Sequence, residues 1–89
     1  MFSKKICKVT ISKTINEDLN VLTEGIVVGV IAGVTRYAQP IFASETTNDG
    51  KCESHFFCAD QRQFKIIEKL LKEQFSTDDE KIICLEIVR

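Results

Sequence analysis

The sequence has a single proline, a single histidine and no low-complexity stretch. Its 44% apolar and 28% charged residues are typical of an ordinary globular protein, which excludes a disordered chain. Lys and Arg number 12 against 13 Asp and Glu, a net charge of -1. This balance provides no field that would draw the chain onto a nucleic-acid backbone or an anionic membrane.

A long apolar run is also missing. The nearly apolar stretch from Gly25 to Val34 has about half the length that a bilayer-spanning helix needs. The first residues alternate apolar and polar side chains, whereas a signal peptide would be continuously apolar. We therefore expect a soluble cytoplasmic protein, without a membrane partner, whose four cysteines are reduced.

With 89 residues, the chain is expected to form one domain over 1–89. A domain of this size buries a small core and usually needs a disulfide, a metal or a partner subunit as a supplement. The sequence indicates neither a disulfide nor a metal. We therefore hypothesise that self-association stabilises the domain.

Three segments alternate apolar and polar residues as half-buried strands do. They lie over about 4–13, 51–59 and 81–88, and the first places Cys7, Val9 and Ile11 on one face. Pro40 confines the segment before the turn at 46–50 to an edge strand, a bulge or a loop.

One helix is predicted over about 60–75, where Asp60 and Gln63 match a capping box and apolar residues fill one half of the surface. A second, short helix over about 15–24 competes with a hairpin turn at 16–18, and we favour the helix. The fold class is therefore α+β, an antiparallel sheet of four to five strands with helices on one face. It is ferredoxin-like if the second helix is real.

The stretch 25–34 is predicted as a strand with one bulky face and one face notched by three glycines, Gly25, Gly29 and Gly33. Glycine weakens a strand interior, so three at regular spacing indicate that something approaches closely. Internal packing, a second subunit and a ligand all satisfy that pattern, and the three glycines are our candidates for an interface or another close approach.

The candidate ligand site is a group of polar and cationic residues near the ends of the predicted strands and the start of the helix predicted over about 60–75. A helix start suits an anion, although Asp60 would compete with it. Its members are Arg36, Tyr37, Gln39, Gln61 and Arg62.

Other chemistries have weaker support. Cys52 and Cys58 would face away from His55 in a strand, so we expect no metal site and no cofactor. A cysteine enzyme would have to pair Cys7 or Cys84 with His55 as the base.

A single-stranded nucleic-acid binder would use lysines of the first strand with Phe56 and Phe57, but the expected motif is missing. The sequence therefore favours a non-enzymatic binding or inhibitory module. We expect a homo-oligomer that recognises a protein partner or a small anionic ligand.

Overall fold

The computed structural model describes residues 5–12 and 20–89. The strands are β1 (Lys5–Ile11), β2 (Ile41–Thr46), β3 (Cys52–Cys58) and β4 (Ile83–Ile87), and the helices are α1 (Asn20–Thr35) and α2 (Gln61–Gln74). All strand pairs are antiparallel, in the order β2-β3-β1-β4. This is the predicted α+β fold, with two helices packed on one four-stranded sheet. Its β-α-β-β-α-β connectivity is that of the split βαβ arrangement.

Burial alternates along β1 and β3, because successive side chains of a strand point to opposite faces of the sheet. One face packs against both helices, and we call it the helix-side face; the other is the far face. The helix-side face contributes Cys7, Val9, Ile11, Phe56, Cys58 and Ile83 to the core. The predicted strand alternation is therefore confirmed in β1 and β3, and β4 is confirmed as a strand, with Ile83 in the core and Ile87 exposed.

Helix α2 matches the helix predicted from the sequence, beginning with its first turn. The Asp60 side chain accepts a hydrogen bond from the backbone N–H of Gln63 at 2.9 Å, and the side chain of Gln63 accepts one from the backbone N–H of Ala59 at 2.6 Å. The predicted helix start is confirmed, but Gln63 reaches back to Ala59, one residue before the N-cap, whereas in a standard capping box it would reach the N–H of Asp60. Phe64, Ile67 and Leu71 then point into the core.

Helix α1 requires a correction. The structure makes residues 25–34 part of a 16-residue helix, whereas the sequence pattern predicts a strand. The predicted helix over 15–24 is helical from Asn20, and 15–19 lie outside the described residues. Residues 25–34 are apolar throughout, so their hydrophobic pattern distinguishes poorly between a helix and a strand.

Candidate functional site

Helix α1 has a clear inner face. Val27, Ile31 and Thr35 recur every four residues and are buried, with exposed fractions of 2%, 0% and 6%. The hydroxyl of Thr35 donates to the backbone carbonyl of Ile31 at 2.7 Å, so this buried polar group is satisfied. Partly buried Ile26, Val30 and Val34 extend the same packed surface.

The outer face of α1 consists of Gly25, Val28, Gly29 and Gly33, and all four residues are exposed. A methyl group placed on any of the three glycines would meet nothing within 4 Å outside its own helix. Close packing inside the domain therefore does not explain the glycines. They form a shallow, open notch along the surface of the molecule.

The two helices differ sharply in what they show to solvent. Helix α2 exposes mainly charged residues such as Lys65, Lys69 and Glu73, together with one large apolar residue, Ile66. Between Gly25 and Val34, helix α1 exposes only glycine and valine, and every residue of this stretch is apolar. A helix that is apolar all round is usually buried on all sides. The outer face of α1 thus has the composition of an interface.

Charged residues flank this outer face. Exposed Glu24 precedes Gly25, and exposed Arg36 follows the last turn of the helix. Arg36 has a φ of 64°, and its N–H donates to the carbonyl of Ala32 at 2.9 Å. This left-handed helix end usually carries glycine, because other residues are strained there. An arginine therefore holds a backbone position that does not favour it.

The predicted ligand residues lie in two segments. Arg36, Tyr37 and Gln39 connect α1 to β2, and Gln61 and Arg62 begin α2. Both segments lie at the same end of the sheet, because Ile41 pairs with Phe56 close to the end of β3. Tyr37 is half-buried and the other four are exposed. The backbone N–H of Gln63, which an anion at the start of α2 would use, already donates to the Asp60 carboxylate. An anion site at these residues therefore stays a prediction.

The cysteines and the histidine of the enzyme hypothesis are not brought together. Cys7 lies on the helix-side face and His55 on the far face. Burial, reinforced by a hydrogen bond with Cys58, raises the pKa of the Cys7 thiol to about 12, so a nucleophilic thiolate is scarce there. Cys84 shares the far face with His55, but β1 lies between their strands, a separation of about 10 Å.

The far face carries a feature that the sequence analysis missed. Phe42 of β2 stacks on Phe57 of β3 with ring centroids 4.4 Å apart, and Phe42 is 48% exposed. Phe42 follows Ile41, which pairs with Phe56, and a register shift after Ile41 brings Ala43 opposite His55 on the far face as well. The sequence analysis could not place the pair, because Pro40 left this segment open as an edge strand, a bulge or a loop.

The far face also bears on the nucleic-acid hypothesis. Lys8 lies 3.1 Å from a carboxylate oxygen of Glu86 and 3.9 Å from one of Glu53. The hydrogen bond with Glu86 raises the pKa of Lys8. Phe57 is on this face, whereas Phe56 is buried in the core. Lys8, which shares this face with the aromatic pair, is therefore already paired with two carboxylates.

No family model, curated protein or solved structure matches this chain. Among the residues that the structure describes, no helix combines the length and apolar character needed to cross a membrane.

Proposed function

We propose that this chain is a non-enzymatic protein-binding module and that it forms a homodimer through the outer face of α1. One observation carries the proposal. The helix that supplies this face is apolar from Gly25 to Val34, yet Val28 is 37% exposed and the glycines beside it are open. Covering this face would remove apolar surface from water, at roughly 25 cal/mol per Å².

The glycines indicate what kind of surface covers the face. A stripe of small residues at every fourth position lets two helix backbones approach closely. At that distance dispersion contacts and Cα–H···O interactions between the backbones become available. A second helix therefore suits the notch.

A second copy of α1 satisfies this requirement by symmetry. In a two-fold dimer the same patch occurs on both partners. If the helices cross in antiparallel orientation at Gly29, Gly25 of each copy lies beside Gly33 of the other, because both are four residues from the centre. The notch is then complementary to itself.

Charge favours the same antiparallel orientation. Glu24 and Arg36 stand at opposite ends of the outer face, so each Glu24 comes to the end where the second copy has Arg36. The helix dipoles also oppose each other in this arrangement, which is favourable. These exposed pairs contribute about 0–1 kcal/mol each and act mainly by selecting the orientation.

The small-anion alternative for Arg36, Tyr37, Gln39, Gln61 and Arg62 has less support. The helix start that would hold the anion is capped by the Asp60 carboxylate, which would repel it. An inhibitory role would be one form of the protein-binding function.

Native mass spectrometry and sedimentation equilibrium over a range of protein concentrations test the proposal. We expect a species of twice the 10.1 kDa chain mass. Gly29→Leu should remove it, because the leucine fills the notch. Lys69→Leu is the matched control, since it places the same side chain on the outer face of α2. A wild-type chain that stays monomeric throughout, or a Gly29→Leu chain that dimerises normally, would contradict the proposal.

Cross-linking tests the orientation of the helices. Cys52 and Cys84 are half-buried, so both are first replaced by serine. Mixing Gly25→Cys and Gly33→Cys chains with a short bismaleimide should link one variant to the other. Links between identical variants would instead indicate parallel helices, and the absence of any link would argue against this interface.

A further inference from the structure

Two buried thiols lie in contact between neighbouring strands. The Sγ atoms of Cys7 on β1 and Cys58 on β3 are 3.3 Å apart, and both residues are fully buried. In the strand register Cys7 is opposite Phe56 and Cys58 is opposite Lys5. The two cysteines are therefore diagonal neighbours on the helix-side face.

We infer that Cys7 and Cys58 form a modification site, a thiol pair that a small hydroperoxide converts into an intramolecular disulfide linking β1 to β3. The inference is independent of dimerisation through α1, because neither cysteine lies on that helix.

The geometry selects this pair. A disulfide bond is about 2.05 Å long, so the sulfur atoms must approach by only about 1.3 Å. The two side chains already share one face, and since diagonal neighbours are usually about 7–8 Å apart, the bond also requires a small movement of the strand ends toward each other. Cys52 lies at the opposite end of β3, and Cys84 is on the far face of β4. We therefore expect neither of them to replace a member of the pair.

The oxidation balances with one molecule of hydrogen peroxide. The thiolate of one cysteine attacks a peroxide oxygen, so that a sulfur–oxygen bond forms, the oxygen–oxygen bond breaks and hydroxide leaves. The second thiol then attacks the sulfur of the resulting sulfenic acid. A sulfur–sulfur bond forms and water leaves. Two thiols and one peroxide thus give one disulfide and two waters.

Burial makes the reaction slow rather than impossible. A thiolate is the reactive form, and the pKa of Cys7 is raised to about 12 by burial and by the contact with Cys58. Reaction therefore requires local opening, which occurs most readily at the ends of structural elements. Cys58 is the last residue of β3 and Cys7 is the third of β1. A small, neutral oxidant is the class that reaches such a site.

The experiment uses the wild type and a Cys52→Ser/Cys84→Ser variant, which retains only the inferred pair. The folded protein is treated with hydrogen peroxide and the reaction is quenched. The chain is then unfolded and labelled with N-ethylmaleimide, and its mass is measured by mass spectrometry. The variant should lose the mass of two hydrogen atoms, accept no label and stay a single chain. In a Cys52→Ser chain, trypsin should release peptide 6–8 linked to peptide 52–62.

A stability measurement adds a second result. The linked residues are 51 positions apart, and closing a loop of that size restricts the unfolded chain. The folding equilibrium should shift by up to about a thousandfold, and Tm should rise by about 10 °C or more. A reductant should reverse both changes. Cys7→Ala in the double-serine variant should show neither the loss of two hydrogens nor the rise in Tm.

Several results would overturn the inference. They are two labelled cysteines in the treated variant, peroxide oxidation only to sulfinic acid, or a link in the wild type that maps to Cys52 or Cys84. Because peptide mapping is done without changing Cys7 or Cys58, the test stands even if Cys7→Ala folds poorly.

Discussion

Gly29→Ala separates the stability of the monomer from the stability of the dimer. Gly29 lies in the middle of α1, and a methyl group there meets nothing within 4 Å outside its own helix. Alanine is more favourable than glycine in a helix interior by about 1 kcal/mol, since glycine loses more backbone entropy on folding. The monomer should therefore become more stable.

The dimer should respond in the opposite direction. In an antiparallel crossing at Gly29 the substitution places two methyl groups at the point of closest approach. The backbones must separate, and the contacts that require close approach weaken. A loss of about 1.4 kcal/mol would raise the dissociation constant tenfold, and we expect at least that much.

Two assays measure the two effects independently. Thermal unfolding, at a concentration where sedimentation shows monomer, should give a Tm higher by about 4–8 °C for a gain of 1 kcal/mol. Sedimentation equilibrium at higher concentrations gives the dissociation constant. Lys65→Ala, on the exposed surface of α2, is the control and should change the free energy of unfolding by less than about 0.5 kcal/mol.

The opposite signs are what make the test decisive. If Gly29→Ala stabilises the monomer and leaves dimerisation unchanged, the glycine stripe is not the interface. If it destabilises the monomer, the outer face of α1 is not open as described. Either result refutes the argument from the notch.

Two further predictions concern the domain itself. Asp60→Ala should lower the free energy of unfolding by about 1 kcal/mol, because it removes the acceptor for the N–H of Gln63; Asp60→Asn should retain most of it in the same denaturant titration. The pKa of Cys7 rises from 9.0 to about 12 on folding, so the contribution of this thiol to stability should be constant below about pH 9 and should fall as pH rises from there toward 12, because the unfolded thiol ionises before the folded one. Cys7→Ala should show a smaller alkaline loss, and equal losses in both chains would refute the assignment to Cys7.

Most of the sheet could be predicted because its strands are buried on one face only. Cys7, Val9 and Ile11 alternate with residues of the far face, and this two-residue period identifies a strand without knowledge of its neighbours. Helix α2 could be predicted equally well, since its buried residues recur at helical spacing after an Asp60–Gln63 helix-start pattern. In both cases local pattern and tertiary packing agree.

The thiol pair could not be predicted from the same pattern. Cys7 and Cys58 are 51 residues apart, and their contact depends on how β1 and β3 are aligned. A shift of register by one residue would move the side chains of one strand to the other face. The sequence identifies each cysteine as a residue of the sheet, but only the register places them side by side.

The sequence predicts close approach at the three glycines from a strand, but the structure has a helix there. Residues 25–34 form a helix, so the argument from a notched strand face is wrong, but the spacing of four places the three glycines in one stripe on a helix as well. The pattern failed because residues 25–34 have no polar face. That missing polar face is also the feature that indicates an interface in the folded domain.

The cost of the glycines in free energy links the glycine stripe to the missing polar face. Three glycines in a helix interior cost about 3 kcal/mol relative to alanine, a substantial part of the 5–15 kcal/mol that stabilises a typical domain. The space beside Gly25, Gly29 and Gly33 is open, so the monomer gains no compensating contact there. A local choice that conflicts with the stability of the monomer is expected mainly where function requires it. Contact with a second copy would supply the interactions that the isolated helix lacks, and it would explain both the glycines and the apolar character of the stretch between Gly25 and Val34.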